Sequence, residues 1–277
     1  MSRPPIDGAT VLLTGASSGI GLELAKLFAA RAKVLVLVAR RKDRLAALKA
    51  ELEGAHPSLV VRVEPCDLGV PDEATALVAR LEQDGVHTDV LVNNAGIGVM
   101  GMFDKADLGR LRAMIDLNVT SLVALTHACV RGMVERGRGG ILNVSSGAGL
   151  TLMPGFAAYV GSKHFVTGFS EALRCDLSGT GVTVTQVCPG PVATEFEETA
   201  GNFTGMKVPG FIEISAAHCA RSAFSGFARG RAIVLPGFVM SVLLSLSAWT
   251  PRWLVRAYTA FGARLLREKE VAKRASP

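Results

Sequence analysis

The chain has 277 residues, 49% of them apolar and 19% charged, and a net charge of +6. This balance excludes a disordered chain and suits a packed globular protein of one or two domains. Five cysteines without CxxC spacing are expected as reduced thiols of a cytoplasmic protein, and five histidines without HxxxH or HExxH spacing give no reason to expect metal catalysis. Met1–Gly8, which precede the first apolar run, lack the hydrophobic stretch of a secretory leader.

Ala9–Thr14 (ATVLLT) reads as a strand and leads into Thr14-Gly15-Ala16-Ser17-Ser18-Gly19-Ile20-Gly21, which opens a helix predicted over 19–30. A glycine-rich turn between strand and helix is the context of a dinucleotide cradle. Gly15 permits the tight turn, while Gly19 and Gly21 allow close approach of a pyrophosphate and of the helix to the sheet. The spacing is GxxxGxG, not GxGxxG, and an ordinary tight turn is the alternative.

Val34–Ala39 is the second predicted strand, followed by Arg40 and a helix over 42–53. An acidic residue at that point would bind the ribose diol of NAD, whereas arginine suits the 2′-phosphate of NADP. NADP(H) is therefore expected over NAD(H), with Arg41 and Lys42 adding positive field; a solvated charge run is the competing explanation. Val60–Glu64 is the third strand, and Asp67 beyond it suits either the adenine amino group or the N-cap of a helix over 72–83. Asp89–Asn93 is the fourth, ending in Asn93-Asn94-Ala95-Gly96. Small residues there let the backbone lie against a cofactor while the amides tie strands together; plain loop chemistry explains the same residues.

A helix over 107–135 is interrupted by Asn118, either a functional amide or one satisfied in the core. Gly140–Ser145 is a strand and Ser146 follows it. A helix over 157–177 carries Tyr159 and Lys163, which at i, i+4 share one face. Phenol has a reference pKa of about 10, and a nearby ammonium is expected to lower it toward the range useful for acid–base work. Ser146 is placed to bond a substrate oxygen. YxxxK alone is as compatible with a surface pair; the joint order of these residues carries the reading. Val182–Cys188 and Ile233–Leu235 complete the strands. Alternation of Val/Leu-rich strands with helices predicts an α/β, doubly wound parallel sheet, Rossmann-like and flanked by helices. The expected partition is a catalytic domain over 1–236 and a helical extension over 237–277.

Taken together, TGASSGIG at 14–21, Asp67, NNAG at 93–96, Asn118, Ser145-Ser146, Tyr159-x-x-x-Lys163 and Pro189-Gly190-Pro191-Val192-Ala193-Thr194 resemble the short-chain dehydrogenase/reductase family over residues 9–195. The resemblance implies a catalytic set of Ser146, Tyr159, Lys163 and Asn118. Tyr159 would exchange the proton, Lys163 would also bind the nicotinamide ribose, and Asn118 would hold a relay water. It further implies a cofactor site made of Gly15, Ser17, Ser18, Gly19, Ile20, Gly21, Arg40, Asp67, Asn94, Ala95, Gly96, Pro189, Gly190, Val192 and Thr194, with Tyr159 and Lys163. Residues 191–214 correspond to a substrate loop, and a homodimer or homotetramer built on the helices near 107–135 and 157–177 is implied.

Phe196, Phe203, Met206, Val208 and Phe211 make that loop apolar, which favours a lipophilic carbonyl or alcohol substrate; core packing is the alternative. The expected activity is NADPH-dependent carbonyl reduction. Oxidation of a secondary alcohol and a non-catalytic NADP-binding scaffold are the other readings, and nucleotide-sugar epimerisation is disfavoured by chain length. Between Arg231 and Arg252 no residue is charged, but Pro236-Gly237 leaves only Phe238–Trp249, short of the ~20 residues of a membrane span. That segment is expected to cover the cleft, pack in an oligomer or lie on a bilayer. From Pro251 on, seven Arg or Lys face two Glu. With Trp249 and Trp253 nearby, residues 238–277 suit a membrane surface or a solvated helix face better than nucleic acid; the protein is expected in the cytoplasm, with membrane-surface contact standing beside a folded-back cap or an oligomer contact as readings of that segment.

Overall fold

Near-continuous Val and Leu runs can be strands only where both faces of a sheet are covered, and helices cover both faces here. The computed structural model describes residues 3–201 and 209–275. Strands β1 (Thr10–Thr14), β2 (Val34–Ala39), β3 (Val60–Pro65), β4 (Val90–Asn93), β5 (Gly139–Val144) and β6 (Val182–Val187) pair in parallel. With a last strand at Ile233–Val234 they form a seven-stranded sheet ordered β3-β2-β1-β4-β5-β6 and then that strand. The chain reverses direction across the sheet between β1 and β4, the crevice where open α/β sheets bind ligands.

Strand alternation distributes the core. Val11 and Leu13 of β1, with Leu35 and Leu37 of β2, enter one layer beneath α1 (Gly19–Ala29) and α2 (Lys42–Ala55). Leu12, Val36 and Val38 enter the other, beneath α3 (Pro71–Gln83). The helix predicted over 107–135 is three pieces: α4 (Leu108–Ile115), a π-turn at Asp116–Thr120, and α5 (Ser121–Glu135). The helix over 157–177 is α6 (Ala157–Asp176).

Beyond β6, Val192–Ala193 (β7) pairs with Ile214–Ser215 (β8) in a two-rung parallel ladder that brackets the predicted substrate loop. Within it, α7 (Phe196–Ala200) is described, whereas Phe203, Met206 and Val208 lie outside the described residues. Helix α8 (Ala216–Ala228) was not anticipated; its buried face is made mostly of small residues, Cys219, Ala220, Ala223 and Gly226. Its Phe224 and Phe227 nevertheless pack edge-on against Phe28 of α1 at 5.0 and 6.2 Å. After the last strand, β9 (Ile233–Val234), come α9 (Phe238–Trp249) and α10 (Arg252–Ala275).

Candidate active site

At the end of β1 the chain turns through Gly15, whose φ of +67° is left-handed. A Cβ on Gly21 would lie 2.2 Å from the Gly15 carbonyl oxygen, so only glycine lets α1 start this close to the strand. Asn94 Nδ2 donates to the Thr14 and Gly15 carbonyls (2.9 and 3.2 Å), and its backbone N–H donates to Thr14 Oγ1 (3.0 Å). The amide thus ties β4 to β1 beneath the turn. The Ser18 side chain makes no cap bond to α1, whose first turn carries no acidic residue. That leaves an N-terminus suited to phosphate. Glycine-only backbone, a helix start and cations beside it fit a dinucleotide.

Arg40 and Arg41 both line the cleft beside the turn. Arg40 is exposed on the rim of the cleft. Its neighbour Arg41 lies over the turn and donates to Ser17 Oγ (3.0 and 3.2 Å) and Ser18 Oγ (2.8 Å). Arg41 and Arg44 both bind Glu195, at 2.8 and 2.6 Å, and these bonds, that of Arg44 foremost, hold its carboxyl down to about 2. Nothing in the sequence pairs residues more than 150 positions apart, so Arg44 and Glu195 were missed. Asp67 is not the cap of α3, which begins after Val70. It lines the cleft and accepts from the Gly69 N–H at 3.0 Å.

Deeper in the cleft, Tyr159 and Lys163 project from α6 and are 8% and 6% exposed. Lys163 Nζ donates to the Val144 carbonyl at 2.9 Å and sits 5.9 Å from the Tyr159 ring centroid. The acidified phenol expected from the i, i+4 pair is not found. Burial pushes Tyr159 up to about 12, opposed by its hydrogen bond with Ser146, and burial pulls Lys163 down to about 8. Desolvation outweighs that hydrogen bond. Ser146 also accepts from the Ala148 N–H at 3.1 Å, whereas Ser145 is turned inward onto the Lys163 carbonyl and Thr167. The π-turn brings buried Asn118 beneath the loop after β4: its Oδ1 accepts from Ile97 N–H (3.0 Å) and its Nδ2 donates to Ile97 O (2.9 Å). Nδ2 also donates to Ser162 Oγ at 3.3 Å. π-Turns recur at functional sites, and this one explains the interruption at Asn118.

A single cleft of about 1550 Å³ joins these parts, larger than the ~300–1,000 Å³ of a small-ligand pocket and roomy enough for a dinucleotide beside a second molecule. One end is lined by Gly15, Ser17, Ser18, Gly19 and Ile20, the middle by Ala95, Gly96, Pro189, Gly190, Val192 and Thr194. The other end is apolar: Met153, Phe156, Phe196, Met240, Leu244 and Leu266. Phe156 and Phe196 flank the Tyr159 ring at 5.8 and 5.4 Å. Among the described residues no Arg or Lys besides Lys163 faces that end.

The chain matches the family model described as short chain dehydrogenase over residues 9–204. It is 44% identical over 188 residues to a sulfoacetaldehyde reductase of Chromohalobacter salexigens, covering 67% of this chain and 73% of that one. Among solved structures it resembles a short-chain dehydrogenase from Sphingobium yanoikuyae in complex with NADPH, at 34% identity and a TM-score of 0.75, over 82% of this chain and 87% of that one. It also resembles a bulky-bulky ketone specific alcohol dehydrogenase from Comamonas testosteroni, at 29% identity and a TM-score of 0.73, over 83% and 86%.

Proposed function

The chain belongs to the short-chain dehydrogenase/reductase family and is an oxidoreductase of carbonyl or alcohol groups; from that premise we propose that it uses NADPH to reduce ketones or aldehydes that are bulky and apolar or lipid-like. The observation that carries this reading is a phenol, that of Tyr159, buried where the cradle meets an apolar chamber. At neutral pH Tyr159, pushed up to about 12, holds its proton and is ready to give it to a carbonyl oxygen.

When bound, the nicotinamide cofactor supplies the hydride. Tyr159 and Ser146 converge on one point and would hold and protonate the substrate oxygen. Lys163 lies beside Gly96, whose added Cβ would be 3.5 Å from Nζ, and so supplies positive charge where the cradle meets the chamber. Arg41, with Arg40 at the rim, supports the preference for NADPH. The apolar chamber supports a bulky ketone over a small sulfonated aldehyde, because a sulfonate would find no arginine among the described residues there. We read the protein as cytoplasmic, as a homodimer or homotetramer through the exposed Leu108, Ile115 and Phe165 of α4 and α6, and as meeting a membrane through residues 238–277.

The test is NADPH consumption over a panel running from sulfoacetaldehyde to bulky diaryl and lipid ketones. Turnover should rise with apolar bulk, and Tyr159→Phe should reduce kcat by roughly 10²–10⁴-fold while NADPH still binds. Near-normal activity of that variant, or consumption confined to small charged aldehydes, would refute the proposal.

A further inference from the structure

Helix α9 contains no charged residue and is apolar on both faces, yet only one face has a partner among the described residues. Met240, Leu244 and Ser247 turn inward. Met240 closes on Gly190, Leu244 on Gly147, and Ser247 Oγ donates to Thr151 Oγ1 at 3.4 Å. At 3.6 residues per turn the opposite face carries Phe238, Val242, Leu246 and Trp249. All four are exposed, Phe238 by 84% and Trp249 by 89%. α10 continues this surface with Trp253 and Leu254, then with Tyr258 and Phe261 at the mouth of the cleft.

The cations lie around this apolar surface. Arg252, Arg256 and Arg264 are exposed on α10, and residues 251–277 carry seven Arg or Lys against two Glu. Arg267, by contrast, is bound to Asp104 at 3.0 Å and anchors α10 to the body. The two helices meet at 119°, so they cannot form one straight span, and α9 alone is too short to cross. Bent, apolar on the outer face, with tryptophans and arginines at the margin, the pair has the form of an interfacial element. A symmetric contact with a second copy would bring like charges together, whereas anionic headgroups complement them.

We propose that α9 and the first turns of α10 dock on an anionic bilayer surface, with Phe238, Leu246, Trp249 and Trp253 at the acyl boundary and Arg252, Arg256 and Arg264 among the phosphates. Docked in this way, the cleft mouth at Tyr258 and Phe261 opens onto the membrane, and a lipid-like ketone enters from the bilayer. The docking is independent of the reductase reading; only the entry route rests on it.

The chain's only two tryptophans, Trp249 and Trp253, are the probe. Full-length protein is mixed with phosphatidylcholine vesicles with or without phosphatidylglycerol, and flotation and tryptophan emission are read together. Flotation with the anionic vesicles, a blue shift and quenching by brominated acyl chains are expected. Phe238→Ser/Leu246→Ser and Arg252→Glu/Arg256→Glu/Arg264→Glu should each cut flotation at least roughly tenfold. Both variants should retain wild-type reduction of a water-soluble ketone, which separates loss of docking from failure of the reductase reading. Flotation no better with anionic than with no vesicles overturns the proposal. So does a blue shift that grows with protein concentration in the absence of lipid, since a second copy would then cover the face.

Discussion

The two ends of the cleft are built by opposite means. At the nucleotide end, short bonds among the chain's own groups fix every part: Asn94 to Thr14 and Gly15, Arg41 to Ser17 and Ser18. At the roof, α9 and α10 touch the body at few polar points, Ser247 to Thr151 and Arg267 to Asp104, and leave large apolar side chains outside. A ligand shared by a whole family calls for fixed geometry, whereas a variable substrate needs only a surface of the right character. Rigidity at one end and latitude at the other suit an oxidoreductase that shares its cofactor with its family and differs from it in substrate.

Substitutions can break this contrast, and the largest effect is expected at the junction. Lys163→Met should lower kcat by roughly 10²–10³-fold. It should also remove a pH dependence of stability. With Lys163 at about 8 when folded and an ordinary value near 10.5 when unfolded, burying its charge costs on the order of 3 kcal/mol below pH 8, relieved as the pH rises toward 10.5. Buried thiols pushed up to about 11 or 12, Cys66, Cys129, Cys188 and Cys219, impose the opposite slope above pH 9. The difference between wild-type and variant denaturation curves therefore isolates the lysine, and parallel curves would contradict the assignment.

At the rigid end, Gly21→Ala forces a methyl against the Gly15 carbonyl and should cost about 1–3 kcal/mol, seen as a lower Tm together with weakened NADPH binding. Arg41→Ala should raise the KM for NADPH about tenfold and leave that for NADH unchanged. An equal effect of Arg40→Ala alone would show that the rim arginine does the selecting. At the tolerant end, Leu244→Ala should raise the KM for a bulky ketone only a few-fold and leave a small ketone unaffected. A large loss on both would mean that the roof is as fixed as the cradle.

The sheet was legible because parallel strands need long Val and Leu runs: β2 has the boundaries expected, and the other sheet strands differ by a residue. Local composition could not show what depends on meeting another segment. Asn118 interrupts the apolar pattern of 107–135, but that the interruption is a π-turn at Asp116–Thr120 emerges only with Ile97 docked on Asn118. Position after β2 singled out Arg40, which lines the cleft, whereas the bonds of Arg41 to Ser17 and Ser18 join separate segments and could not be read from position. The acidity of Tyr159 was misjudged for a related reason. Spacing along a helix reports the proximity of Lys163 and says nothing of the depth at which both are buried.

The paired rungs Val192↔Ile214 and Ala193↔Ser215 act as a clasp. Whatever lies between them is held at both ends by backbone bonds that read no side chain. Such a segment can be lengthened, shortened or exchanged with a relative's while the helix that carries Tyr159 and the strand that leads into the glycine turn keep their places. New substrate ranges can therefore be acquired by splicing at that clasp, without refolding the enzyme.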